Sequence, residues 1–416
     1  METPNQNLPL KQPRPRGAKL GRTAQHQFLW RALSLFLLAA CASYKAGGSS
    51  GHPASEGGEK ALVPIRRLDF DARCSAGDGK VIGGSRDRKP ILFNLDSHET
   101  ILPLPPGADG GCVTSLSKDG KLAAGGCAVN AHAVDLIWEN KRLVYTIPDA
   151  WTTGPTVSSD GTTVVGDQCV VLFGKEFAQY KRGLRIARPY RWRRNEGLTK
   201  LESNLPHASI HATACSADGS IVYGGIIDAL GEFEDGIPRT DIDICKWDAR
   251  GRLTLFPDEL GKGRIVSCSR DGSVAIGLAT WGQLIWLRND VRTSSLERKT
   301  RRVFSVCLSE DGTTAVGTYD PPTDDPPVVD DSGVVLFDPT HPSGKVLKTT
   351  AWNFDEPRPY PRTMATLGIS ADCSTILAET SFDEGKTSVP VLYKLETPGS
   401  DHNEYFYKRW TPSYQH

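Results

Sequence analysis

The tetrapeptide Ser-x-Asp-Gly recurs at Ser117, Ser158, Ser216, Ser269 and Ser309. Two variants flank the series: Ser75 to Gly79 with one extra residue, and Ser370-Ala371-Asp372 followed by Cys373. The seven copies place Asp78, Asp119, Asp160, Asp218, Asp271, Asp311 and Asp372 in one recurring turn. A repeat of about 40 residues cannot bury an apolar face alone and must stack on its neighbours, which restricts the chain to solenoids and propellers. Within a repeat, the motif suits a type I turn whose Gly takes positive φ and closes a hairpin with a bulge. The Asp carboxylate accepts local N–H groups and fixes that turn.

The flanking positions decide between the two architectures. Six residues after each Asp stand Gly84, Gly125, Gly166, Gly224, Gly277, Gly317 and finally Ala378. Before each Ser is an apolar residue or Cys: Cys74, Leu116, Val157, Cys215, Cys268, Leu308 and Ile369. Further on, an apolar-x-aromatic step ends at Phe93, Trp138, Trp192, Trp247, Trp286, Phe337 and Tyr393, and a turn and a short apolar run usually follow. Four strands per repeat describe a propeller blade. With 41 Gly and 28 Pro in 416 residues, many short strands and turns are favoured over helices. The expected fold is all-β, a seven-bladed β-propeller of four-stranded antiparallel blades over residues 62–396. Val63 to Phe70 reads as an outer strand and the last repeat stops after its third, so the N-terminal strand is expected to complete blade seven. The repeats resemble those of TolB-type and WD-repeat-like bacterial β-propellers, and the short secreted repeats often called HAF repeats. That resemblance is architectural, because such families share blades without sharing one activity.

The N-terminus carries an address. Its first 26 residues are polar and basic, and a clean apolar run follows from Ala32 to Ala40. Nine helical residues rise only about 14 Å, too little to span a bilayer, so the segment reads as a secretory signal. Its end, Leu38-Ala39-Ala40-Cys41, resembles the lipobox of bacterial lipoproteins. The resemblance implies cleavage before Cys41 and diacylation of its thiol; Ala42 and Ser43, with no acidic residue, imply sorting to the outer membrane of a Gram-negative envelope. Cleavage after Ala42 is the alternative. The expected organisation is a signal peptide over 1–40, a lipidated Gly-rich tether over 41–61, the propeller, and a tail over 397–416 whose aromatics are expected to pack on the propeller's side.

Chemistry is less legible. Lys plus Arg equal Asp plus Glu at 49 each, which removes the electrostatic reason to expect a nucleic-acid partner. Phosphate loops and His-Glu-x-x-His are missing, so neither cofactor nor metal is expected. Sialidase Asp boxes place another residue between Asp and Gly, and the match fails there. Cys112 and Cys127 flank one hairpin as a candidate disulfide: a two-residue turn makes them face each other, and a three-residue bulged turn sets them on opposite sides. Asp spacings of 41, 41, 58, 53, 40 and 61 put extra residues in blades three, four and six, between strands two and three, with a further excess after blade six. In an up-and-down blade all of these lie on the rim opposite the Ser-x-Asp-Gly turns. The basic loop (Arg182, Arg185, Arg188) and the acidic loop (Glu232, Glu234, Asp235) there are the candidate ligand-binding residues, unless they simply pair with each other. The expected function is a membrane-anchored, extracytoplasmic module or scaffold binding a protein or glycan; the alternative is a secreted propeller enzyme of glycosidase or lyase type. Metabolic labelling with a palmitate analogue tests the anchor: Cys41→Ser is expected to lose the label, and undiminished label refutes it.

Overall fold

A computed structural model describes residues 61–396, apart from 97, 151–153, 175–183, 229–232, 235–236, 239–241, 257–261, 280–283, 296–301, 321–333, 339–340, 350–361, 371–373 and 382–387. Cys41, Arg182, Glu232, Asp235, Asp372 and the tail 397–416 lie outside the described residues.

Seven antiparallel blades follow one another along the chain. Blade one comprises Asp71–Ser75, Val81–Arg86, Lys89–Asn94 and Glu99–Ile101; blade two comprises Ala108–Leu116, Leu122–Val129, His132–Glu139 and Arg142–Pro148. Blade three comprises Thr156–Val157, Thr163–Leu172, Leu184–Arg193 and Gly197–Lys200. Blade four comprises Ala208–Cys215, Val222–Asp228, Ile242–Trp247 and Leu253–Leu255, with a small hairpin, Phe233–Glu234 and Ile237–Pro238, inserted after its second strand. Blade five comprises Gly263–Cys268, Val274–Ala279, Leu284–Arg288 and Val291–Ser295; blade six comprises Arg302–Leu308, Ala315–Asp320, Val334–Asp338 and His341–Thr349. Blade seven comprises Arg362–Ile369, Thr375–Ser381 and Ser388–Glu396, and its outer strand is Ala61–Arg67 from the beginning of the propeller. The first strands touch in sequence and the seventh returns to the first, so they form the inner ring around the axis.

The turn motif explains itself atom by atom. The motif serines are buried, and each hydroxyl donates to Asp Oδ1 of its own turn at 2.6–2.8 Å in five repeats. The same hydroxyl accepts the N–H of the residue five further on at 2.9–3.0 Å. Asp Oδ1 accepts the N–H two residues on at 2.9–3.0 Å. The turn glycines have φ between 63° and 72°, a conformation that costs other residues energy. In blade one the hairpin closes on Ala76, whose N–H donates to the Val81 carbonyl at 2.8 Å, and the Gly79 N–H donates to the Ala76 carbonyl at 2.9 Å. Ala76 therefore holds the Ser position and the repeat has no extra residue. Cys74 consequently lies one place further back than Cys215 and Cys268, which do precede their serines.

Packing between blades does most of the stabilising. Trp138 and Trp247 are fully buried, and their indole N–H groups donate to the carbonyls of Pro103 (2.7 Å) and Glu202 (2.8 Å) in the segments leading into their blades. Burying such a ring removes about 150–250 Å² from water, roughly 4–6 kcal/mol as an upper bound. One shared cluster joins Leu92 and Leu102 of blade one to Val113, Leu136 and Trp138 of blade two. The glycine six residues after each Asp is required by closeness: a Cβ on Gly224 would lie 1.8 Å from the His211 carbonyl oxygen, and one on Gly166 would lie 2.5 Å from the Tyr190 hydroxyl.

Closure rests on Ala61–Arg67. It pairs antiparallel with blade seven's third strand, Ala61 opposite Glu396 and Arg67 opposite Val391, and its start also pairs in parallel with Lys348 and Thr349 of blade six. Leu62 sits fully buried among Leu336, Leu347 and Tyr393. Deleting residues 61–67 is expected to lower the melting temperature on the order of 10 °C or more, since it opens a sheet edge and a core cluster together. A deletion protein that melts like the parent in calorimetry refutes this closure.

Candidate functional site

At the turn end of the axis, the residues between Ser and Asp form a collar. The Gly77 N–H donates to the Lys118 carbonyl (3.1 Å), Lys118 to Ser159 (2.9 Å), Asp160 to Ala217 (3.1 Å), Ala217 to Arg270 (2.8 Å) and Arg270 to Glu310 (2.7 Å), stitching blades one to six. Their side chains meet over the mouth. The Glu310 carboxylate accepts the Ser159 hydroxyl at 2.6 Å and pairs with the Lys118 ammonium, so blades two, three and six are tied across the channel. Burial raises the Glu310 carboxyl, but Lys118 and Ser159 more than offset this and hold it below its ordinary value. Gly77 leaves room for the lysine stem, because a Cβ there would lie 2.6 Å from Lys118 Cγ.

Nearer the loop end, a second pattern lines the wall. Most inner strands carry a bulge just before the turn, and the extra residue reaches the next blade. Thr114 Oγ1 donates to the Pro155 carbonyl (3.3 Å) and Thr213 Oγ1 to that of Ile265 (2.5 Å). The residue five before the motif Ser meets the residue seven after the Asp of the preceding blade. His211 Nδ1 thus lies 2.9 Å from Asp167 Oδ2, while Asp167 Oδ1 accepts the Ala212 N–H at 2.8 Å. His211 therefore stands with a carboxylate partner.

Behind this wall, Tyr190 donates to Asp135 Oδ2 at 2.6 Å, both groups being buried. Desolvation pushes the Asp135 carboxyl up to about 8, against the Tyr190 hydrogen bond and with help from the Asp167 charge. Cys112 stands opposite Gly126 and Cys127 opposite Gly111, so the thiols leave opposite faces of the sheet and both are free; the bulged turn decides against the candidate disulfide. Desolvation pushes both thiols up to about 11.

The long connections lie at the end opposite the turns, as blade topology requires. Arg185 is exposed there and its Nε lies 3.2 Å from Cys169 Sγ. Arg188 acts inside the fold instead. Its guanidinium donates to the carbonyls of Ala208 and Pro206, both at 2.5 Å, and fixes the passage into blade four. Glu234 lies in the small inserted hairpin, opposite Ile237. Sequence reasoning missed the blade-three hairpin's own apolar end. Its two ten-residue strands are the longest in the propeller as described, and they carry Val170 (37% exposed), Val171 (39%) and Phe173 (77%) near their tip. Three such residues on one hairpin were a signal available in the sequence.

No family model matches the chain, and no curated protein matches it. Solved structures do: one chain in the crystal structure of the mitotic checkpoint complex superposes with a TM-score of 0.51 at 12% identity, over 85% of this chain and 97% of that one. At that identity the likeness establishes the fold, a seven-bladed propeller, and nothing finer.

Asp135 supplies a pH test with a definite sign. Its raised carboxyl keeps its proton in the folded state up to about pH 8, whereas the unfolded chain releases it near pH 4. Stability from this group therefore falls as pH rises through that window. Asp271 acts oppositely: hydrogen bonds from the Ser273 N–H and the Ser269 hydroxyl lower its carboxyl, and its contribution is lost in acid. Asp135→Asn, which keeps an acceptor for Tyr190, is expected to be more stable than the parent at pH 8, on the order of 5 kcal/mol, and to match it near pH 4. Parallel stability–pH curves from urea titrations overturn the assignment.

Proposed function

We propose that the chain is an extracytoplasmic binding module, tethered to the outer membrane through a lipid on Cys41, that captures a protein partner on its loop face. The observation that carries the reading is the blade-three hairpin, which offers Val171 and Phe173 beside the exposed Arg185, with Val170 exposed on its other face. Apolar groups next to a guanidinium suit a protein surface with an apolar patch and an acidic rim. Two further facts support binding over catalysis. Lys118 with Glu310, and His211 with Asp167, are partnered within the fold, and the strongly perturbed carboxyl of Asp135 is buried away from any substrate.

Topology suits a tether as well. Ala61 pairs with Glu396 at the turn end, where the Leu395 N–H donates to the Ser374 carbonyl. A segment joined there leaves the loop face free. Crosslinking capture from native membranes tests the reading. Phe173→Ser with Arg185→Glu is expected to lower recovery of the partner about tenfold or more, and Lys121→Glu on the turn face to leave it unchanged. Capture lost by the turn-face variant and kept by the hairpin variant refutes it.

A further inference from the structure

Arg264 is the second residue of blade five's inner strand, at the loop end of the channel. It occupies the repeat position at which His211, one blade earlier, meets Asp167. The position that would supply its partner is Gly225, seven residues after Asp218, which has no side chain to offer. Among the described residues, the guanidinium accordingly has neither a hydrogen bond nor an ion pair. It is exposed to solvent, yet the surrounding protein lowers its pKa by desolvation alone, with no acid to compensate.

Among the described residues, its charged neighbours are spent on other partners. Lys262 is paired with Asp243, and His211 with Asp167. At the turn end the mouth is spanned by the Lys118–Glu310 pair and Ser159. The channel is thus spanned at the turn end, and at its loop end the described residues leave the Arg264 guanidinium without a partner.

We propose that Arg264 anchors a carboxylate-binding site in the central channel, which receives an acidic side chain or a C-terminal carboxylate of the partner. A single guanidinium matches a monoanion in charge, and its fork matches the two carboxylate oxygens. The assignment deepens the loop-face reading and rests on it, because the partner must approach from that side.

Calorimetric titration of the full chain with short peptides tests it directly. The probes are acetyl-Gly-Gly-Gly-Glu amide, acetyl-Gly-Gly-Gly-Gln amide and acetyl-Gly-Gly-Gly-Gln with a free C-terminal acid. At least one acidic peptide is expected to bind about tenfold or more tightly than the Gln amide, and which one identifies the source of the carboxylate. Arg264→Gln is expected to abolish the preference and Arg264→Lys to retain part of it. Lys118→Gln and Phe173→Ser are expected to leave it intact, each variant being checked for an unchanged melting transition. A preference that survives Arg264→Gln, one that disappears with Lys118→Gln, or none in the parent overturns the site. Loss of partner capture in Phe173→Ser with peptide binding retained separates failure here from failure of the hairpin reading.

Discussion

No blade of this protein is stable alone, because each has two apolar faces and only its neighbours can cover them. The clusters of Leu92 with Trp138, Val165 with Trp247 and Ile276 with Phe337 all straddle adjacent blades. A ring of such interfaces is complete only if the last blade is complete, and blade seven takes its outer strand from Ala61–Arg67. The long-range pairing of Ala61 with Glu396 therefore conditions every other contact. It also makes folding depend on contacts between the two ends of the propeller, which form late and at a cost in loop-closure entropy.

Local rules made the blades legible. The Ser-x-Asp-Gly clamp uses atoms within six residues of one another, so its hydrogen bonds are implied by the motif itself. The glycine after each Asp was equally visible, although its cause, the inner-strand carbonyl lying against the second strand, appears only in three dimensions. Where the motif is degenerate the register was misread: Ala76 replaces the Ser, and the nearest Ser75 drew the frame one residue astray.

The site was less legible, for a geometric reason. His211 and Asp167 are 44 residues apart, and Lys118 and Glu310 are 192 apart. Nothing local marks either pair; both emerge only when repeats are aligned and equivalent positions are compared across neighbouring or facing blades. Arg188 shows the converse. Its place in a basic run suggested a ligand contact, yet it spends its donors on the Ala208 and Pro206 carbonyls in the passage between blades.

The two ends of the axis follow opposite logics. At the turn end every connection is short, and backbone bonds between neighbouring turns draw the ring tight, so charged side chains are forced together and neutralise one another. At the loop end the connections vary in length, and pairing depends on what each repeat supplies. Where a repeat supplies Asp167 the histidine opposite is satisfied; where it supplies Gly225 the arginine opposite is not. A regular scaffold with one irregular column thus produces polarity: a sealed, self-compensated end and an end with unspent charge and exposed apolar groups. Among the described residues, the pairing of neighbouring blades is broken where one repeat supplies no side chain to its neighbour.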